Sequence, residues 1–233
     1  MNKKNYFDTT IIIPTFNEES NISELLNLIE GLYKNISIII SDDGSRDRTQ
    51  EIVKGHTRKN KKIKLLNRSK KSVYGLTASV IDASKTVKTK YTVVMDGDLQ
   101  HPPEKIKEIV RELRKGNDIV AGARRKVFDW SLDRRIISKI ATGLGKTRLL
   151  LNGATCDDIL SGFFGIKTNL MQIIDKNKFE MPGYKVLFDI LKNIDKNTKI
   201  KNIYYDFGMR KRGHSKIGLK QIISFLKALL KWW

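Results

Sequence analysis

The 233-residue chain predicts an α/β fold, a mainly parallel sheet with helices on both faces. Three observations predict it. Short, wholly apolar strand-like runs alternate with amphipathic helical patterns. Those runs lack polar alternation, as strands covered on both faces do. Polar clusters follow the runs repeatedly, and sheets of this kind bind ligands at the carboxyl ends of their strands.

The elements follow in order. Thr9–Pro14 (TTIIIP) is the first strand. After Asn17, the residues Ile22, Leu25, Leu26, Ile29 and Leu32 recur at three and four, which predicts a helix. Ile36–Ser41 (ISIIIS) is the second strand, ended by Asp42-Asp43-Gly44. A helix starts over Asp47–Val53, and Ile63–Leu66 is a weaker strand. Leu76–Ser84 reads as a helix and Tyr91–Met95 (YTVVM) as a strand. Pro103 opens a helix with Ile106, Ile109, Val110 and Leu113 on one face, and proline suits a first turn. Asp118–Ala121 is the fifth strand. Beyond Arg125 the alternation loosens: Arg134–Thr142 and Tyr184–Asn193 read as helices, Gly162–Ile166 and Lys201–Phe207 as strands. No repeat and no Pro/Gly/Ser-rich linker divides the chain. Four clusters should then meet on one sheet edge: Thr15-Phe16-Asn17-Glu18, Asp42-Asp43, Asp96-Gly97-Asp98 and Arg124-Arg125.

Hydrophobic residues make up 40% of the chain, beside 16 glycines, which is globular and not disordered. A single cysteine, Cys156, excludes a disulfide framework and a multi-cysteine zinc site, and fits a reducing compartment. The longest run without charge, Ser72–Ile81, has ten residues, against about 20 for a bilayer span. No signal-peptide apolar stretch follows the lysines of the opening MNKKNYFD, so the expectation is a protein kept inside the cell.

Lys and Arg number 45 against 25 Asp and Glu, a net charge of +20. That suggests a polyanionic partner: nucleic acid, anionic lipid or phosphorylated ligands. Lys54–Lys71 holds nine basic residues and no acid, although a solvated surface would read the same way. Lys199–Trp233 holds nine against Asp206 alone. A nucleic-acid-binding module is disfavoured, because aromatics are 8%, no RNA or DNA motif is present, and acids cluster at strand ends.

Asp96-Gly97-Asp98-Leu99-Gln100 carries the most chemistry. Two carboxylates two residues apart at a strand end can bind one divalent ion, and Gly97 lets the backbone come close. Oxygen ligands suit Mg²⁺ or Mn²⁺, which take one or two carboxylates plus substrate phosphates. A calcium EF-hand fails, since Gln100 and His101 stand where its acid and glycine belong. A bare acidic turn is the competing reading. Gly143-Leu144-Gly145-Lys146-Thr147 is not a phosphate-binding loop, because Ile140 replaces the first glycine and the context is helical. His56, His101 and His214 have no ligand spacing, so neither a zinc site nor a Ser-His-Asp triad is supported. Arg210-Lys211-Arg212-Gly213-His214-Ser215-Lys216 suits phosphate recognition.

On a helix, Lys216, Lys220, Ser224, Lys227 and Lys231 form one polar stripe, and Leu219, Ile222, Ile223, Phe225, Leu226, Leu229, Leu230 and Trp233 fill the opposite arc. Such a segment suits lying in a membrane interface. Packing on the domain's own core is the alternative.

With these residues aligned, the chain resembles the family 2 glycosyltransferases, and within them the dolichol-phosphate mannose synthase and polyprenyl-phosphate glycosyltransferase branch. Ile13-Pro14-Thr15-Phe16-Asn17-Glu18 is similar to the opening I-P-[TA]-[YF]-N-E, and Asp42–Thr49 to D-D-x-S-x-D-x-T. Asp96–Glu104 (DGDLQHPPE) is similar to the branch's D-[AG]-D-L-Q-H-P-P-E. Ser161-Gly162-Phe163 and Arg210…Gly213-His214-Ser215-Lys216 resemble the later S-G-F and R-x-x-G-x-S-K blocks. Phe16 stands in place of the commoner Tyr, and Gly44 where many relatives carry Asp or Asn.

The resemblance implies a GT-A fold over residues 1–215, with 216–233 as an amphipathic interfacial helix. It implies an inverting, metal-dependent enzyme that moves a hexose, mannose from GDP-mannose foremost, to dolichyl or polyprenyl phosphate. UDP-glucose or another donor, or a soluble acceptor, is the alternative. By the same resemblance Pro14, Phe16, Glu18, Asp43, Asp96 and Lys216 would hold the donor nucleotide. Asp96, Asp98 and Gln100 would hold Mg²⁺ or Mn²⁺. Arg124, Arg134 and Ser138 would take the acceptor phosphate. Asp98 and Arg210 would act on the departing diphosphate. An acceptor phosphate is anionic near neutral pH and needs no strong general base. The expected place is the cytoplasmic face of an anionic membrane, with room for a separate membrane-spanning partner protein.

Overall fold

The computed structural model describes residues 5–127, 132–150, 156–209, 227 and 229, and for 132–139 and 150 the backbone alone. β-Branched apolar runs make its central strands. Thr9–Thr15 (β1) is buried at every position, and Ser37–Asp42 (β2) at all but its first. Ile63–Asn67 (β3), Tyr91–Val94 (β4), Ile119–Val127 (β5), Phe164–Lys167 (β6) and Ile200–Phe207 (β7) complete a seven-stranded sheet in the order β3-β2-β1-β4-β6-β5-β7. β1, β2, β3 and β4 pair in parallel, as do β5 and β7. β6 alone runs antiparallel, to both β4 and β5. The mainly parallel sheet is therefore present with one reversed strand. That reversal brings Ser161-Gly162-Phe163, which precede β6, to the edge where the other strands end.

Between the strands stand Ile22–Leu32 (α1), Thr49–Lys59 (α2), Leu76–Ser84 (α3), Ile106–Arg114 (α4), Leu132–Leu150 (α5), Thr168–Ile173 (α6) and Val186–Lys192 (α7). A 3₁₀ turn at Pro103–Lys105 leads into α4, so Pro103 starts the element as its ring predicts. Side chains alternate across the sheet and split the core in two. Ile11, Ile13, Ile38, Ile40 and Val93 pack with Ile22, Leu25 and Ile29 of α1 and Ile109 and Leu113 of α4. Ile12, Ile39 and Val94 face Val80 of α3 and Leu187, Phe188 and Ile190 of α7.

Some bounds move. α5 begins before Arg134 and runs eight residues past Thr142, and it contains Gly143-Leu144-Gly145-Lys146-Thr147 as regular helix. Gly145 is there for packing, since a Cβ would sit 2.4 Å from Ile159 Cδ1. β5 extends through Arg124, because β7, at the sheet edge, pairs with it along its length. The short α6 went unread in the sequence. Of the C-terminal segment, Lys227 and Leu229 are helical. Lys227 is exposed, and Leu229 packs against the α3/α7 side of the core. The rest of the expected interfacial helix lies outside the described residues. Among the described residues no helix is long and apolar enough to cross a membrane.

Candidate active site

Two loops after β1 and β2 are stitched together by the small polar residues of the Asp42–Thr49 block. Asn17, in the left-handed region at φ 53°, donates its N–H to Ser45 Oγ at 2.8 Å and accepts from Arg46 N at 2.8 Å. Glu18 N donates to Thr49 Oγ1 at 2.8 Å, and Glu19 N to Asp47 Oδ2 at 3.1 Å. Asp42 is wholly buried and accepts from Thr15 Oγ1, Ser45 N and Gln50 Nε2 at 3.0, 2.9 and 2.7 Å. It is scaffold. Asp43 is the carboxylate of this pair that is left half-buried at the site.

Asp43 accepts from Gly75 N at 2.6 Å and from Arg68 Nη1. Burial pushes its carboxyl above the ordinary value, against the pull of that N–H and the Arg68 charge. Arg68 is 1% exposed. Its guanidinium also binds Asp82 Oδ2 at 3.1 Å, Ser79 Oγ at 3.1 Å and Val73 O at 2.8 Å. One member of the basic run Lys54–Lys71 is thus a buried brace behind Asp43. Phe16 is exposed beside these loops and Pro14 is buried within β1, opposite Ser41.

β4 ends in Asp96-Gly97-Asp98. A Cβ on Gly97 would lie 3.4 Å from Thr15 Cγ2 and 3.7 Å from Glu18 Cγ, so this turn sits against the β1 loop. Asp96 Oδ2 is 3.1 Å from His101 Nε2. Burial opposes ionisation of Asp96, but the His101 hydrogen bond and the charges of Lys185 and Arg124 hold its carboxyl below the ordinary value. Asp98 is 7% exposed and accepts from Gln100 N at 3.2 Å. Gln100 Nε2 donates to Gly208 O at 3.0 Å, and Gly208 N returns a bond to Gln100 O at 2.9 Å. The chain therefore passes Gln100 just before Arg210. Arg210 and Lys216 themselves lie outside the described residues.

A divalent ion fits these residues. Among the described residues Asp96 Oδ1 is buried and meets no hydrogen-bond donor, an orphaned acceptor that an ion would satisfy. Among the described residues no three His, Cys, Asp or Glu side chains converge as a ligand set. Two carboxylates with Gln100 would leave positions for diphosphate oxygens and water, the usual habit of Mg²⁺.

Arg124, in the second half of β5, forks onto Asp158: Nε to Oδ2 at 2.6 Å and Nη2 to Oδ1 at 2.9 Å. Burial opposes the Asp158 charge, and the Arg124 hydrogen bond and charge outweigh it, leaving that carboxyl below its ordinary value. Arg124 thus has a structural task that the sequence did not disclose. Lys185 donates to Leu160 O at 2.8 Å. Arg134 and Ser138 stand one turn apart on α5, the helix that follows β5. Arg68, His101, Asp158 and Lys185 were missed as site residues. The available signals were the S-G-F block next to Asp158 and the D-G-D-L-Q-H-P-P-E block that contains His101. His56 contacts Ser23 at 3.2 Å and Glu30 at 3.4 Å, bridging α1 and α2.

Comparison with known proteins gives a family and a fold. The model described as Glycosyl transferase family 2 matches residues 10–181. A dolichol-phosphate mannosyltransferase of Pyrococcus furiosus is 36% identical over 96% of this chain, which spans 64% of that relative's length. One from Mycosarcoma maydis is 30% identical, over 95% of this chain and 78% of the relative. Among solved structures, glucosyl-3-phosphoglycerate synthase of Mycobacterium tuberculosis with Mn²⁺, UDP-glucose and phosphoglyceric acid superposes with a TM-score of 0.72. It is 18% identical, with 95% of this chain and 77% of that chain covered, and it shares the GT-A-like fold.

Proposed function

Since the chain belongs to glycosyl transferase family 2, we propose that it transfers a hexose, mannose from GDP-mannose, to dolichyl or polyprenyl phosphate at a membrane surface, with inversion at the anomeric carbon. One observation carries the reading: Asp43, Asp96 and Asp98 follow parallel strands that end on one sheet edge, and among the described residues Asp96 Oδ1 there is buried and unpartnered. The relatives named dolichol-phosphate mannosyltransferase support the choice of sugar and acceptor.

Asp43, braced by Arg68, receives N–H or O–H donors of the nucleoside. Phe16 and Pro14 border it. Asp96 and Asp98, with Gln100, hold Mg²⁺ or Mn²⁺, which when bound supplies Lewis-acid stabilisation of the departing diphosphate. Arg210 and Lys216 add positive charge to that leaving group. Arg124, Arg134 and Ser138 orient the acceptor phosphate, whose oxygen attacks the anomeric carbon opposite the diphosphate. Much of the rate comes from holding two anions in line. The basic stripe of 216–233 meets anionic headgroups.

The test is a donor-by-acceptor panel. GDP-mannose and UDP-glucose are each offered with Mn²⁺ to a short polyprenyl phosphate and to 3-phosphoglycerate, and products are read by mass spectrometry. Mannosyl-phosphoryl-polyprenol is the expected product. Transfer to 3-phosphoglycerate alone would contradict the acceptor class, and glucosyl lipid alone would contradict the donor.

A further inference from the structure

His101 is 2% exposed and wedged between aromatic rings, with centroids 5.2 Å from Phe163, 5.2 Å from Phe207 and 5.7 Å from Tyr205. Both its nitrogens are engaged. Nε2 lies 3.1 Å from Asp96 Oδ2, and Nδ1 lies 2.8 Å from Tyr205 Oη. A carboxylate oxygen only accepts, so Nε2 carries the hydrogen. In the neutral ring the Tyr205 hydroxyl donates to Nδ1, and in the charged ring Nδ1 donates to it. The Nε2–H bond to Asp96 is the same in both states.

Gly162 closes the same oxygen from another side. A Cβ at Gly162 would lie 2.5 Å from Asp96 Oδ2, so any side chain there would displace the carboxylate. Three segments far apart in sequence therefore act on one atom: the turn after β4, the residues before β6, and β7. Among the described residues Asp96 Oδ1, in contrast, is buried with no donor. Leaving a buried carboxylate oxygen unmet is costly unless something fills the place.

We propose that His101 is a positioning residue for Asp96: its Nε2–H holds Oδ2, Tyr205 fixes the imidazole, and Oδ1 is thereby presented to the divalent ion. The inference rests on the reading of Asp96 as a ligand of that ion. Hydrogen bonds from outside a ligand set commonly tune metal affinity by about 10–100-fold.

The test measures Mn²⁺ dissociation constants by the electron paramagnetic resonance of unbound Mn²⁺, at saturating GDP, without turnover. His101→Leu fills the space without a donor, and His101→Gln places an amide N–H near the Nε2 position. His101→Leu should weaken Mn²⁺ binding by about 10–100-fold. His101→Gln should recover most of it, and Tyr205→Phe should fall between. GDP affinity in chelator should stay the same in all three. Wild-type Mn²⁺ affinity in folded His101→Leu overturns the proposal, and so does His101→Gln as weak as His101→Leu, which would make the role one of packing. If His101→Leu does not fold by circular dichroism, Tyr205→Phe decides, since it keeps the ring: unchanged Mn²⁺ affinity overturns the proposal. Asp96→Asn separates the premise, because unchanged Mn²⁺ affinity in that variant removes Asp96 as a ligand whatever His101 does.

Discussion

The two halves of the sheet differ in construction and in charge. In the half made by β3, β2, β1 and β4 every pairing is parallel, and the strand ends bring the carboxylates Asp43, Asp96 and Asp98. In the half made by β6, β5 and β7 one strand is reversed, and the cation Arg124 stands within β5 already forked onto Asp158. In the function proposed above, the first half takes the metal-bound diphosphate and the second the acceptor anion. The difference teaches where function and stability are separable. Arg124 cannot lose its charge without leaving Asp158 buried and unpaired, and Asp43 shares the buried Arg68 with Asp82, so its loss leaves that cation one carboxylate.

The sharpest way to break that contrast is Arg124→Ala. It strands a buried Asp158, whose side chain is 13% exposed, and should cost about 3–5 kcal/mol of stability at neutral pH. The sign with pH follows from Asp158. Its folded pKa is held below the ordinary carboxylate value, so the stability it confers is present above that range and lost as pH falls through the lower folded value. The gap between wild type and Arg124→Ala should therefore narrow on acidification. Urea midpoints at pH 7 and at pH 3, below the ordinary carboxylate value, read it. An equal gap at both would show that the pair is not coupled as drawn.

Arg134→Ala should behave the other way. Stability stays near wild type, while the KM for polyprenyl phosphate rises by an amount equivalent to about 1.5–3 kcal/mol, one lost charge-assisted contact. Steady-state kinetics against acceptor, with GDP-mannose saturating, decides. A rise in donor KM alone would move Arg134 to the other half.

The two halves were not equally legible in the sequence. Asp96 and Asp98 stood out because they lie two residues apart just past a wholly buried strand. The Ser45, Asp47 and Thr49 pattern marked the right loop, yet those side chains hold Asn17, Glu18 and Glu19 in place. Arg68 was hidden in a basic run, since its partners Asp82 and Asp43 are 14 and 25 positions away. Tyr205 lies 104 residues from His101, and no local pattern connects them. The direction of β6 was also unreadable. Four residues, Phe164–Lys167, show burial and not sense, and only the pairing with β4 and β5 reveals it. Burial pushes the thiol of the single cysteine, Cys156, up to about 12.

Gly162→Ala probes the seam between the halves. Displacing Asp96 Oδ2 should weaken Mn²⁺ binding by about 10–100-fold while the melting temperature changes little, as read by metal titration beside a thermal scan. Unchanged metal affinity would mean that Asp96 moves aside harmlessly. The smallest expected effect is at Lys227, exposed near the C-terminus. Lys227→Gln should reduce partition onto anionic liposomes by about 1 kcal/mol, the contribution of one lysine. Co-sedimentation measures it. No change, together with the Leu229 contact to the core, would favour a helix packed on its own domain.

The central claim is that Asp98 and a divalent ion together make the donor diphosphate a leaving group. Its most direct test is the initial rate of mannosyl transfer from GDP-mannose to polyprenyl phosphate, for wild type and Asp98→Asn, each with Mn²⁺ and with excess chelator. The account predicts product only for wild type with Mn²⁺, with Asp98→Asn folded and at least about 100-fold slower, the scale of one lost electrostatic contact in a transition state. Equal rates in chelator, or an Asp98→Asn enzyme as fast as wild type, would contradict it.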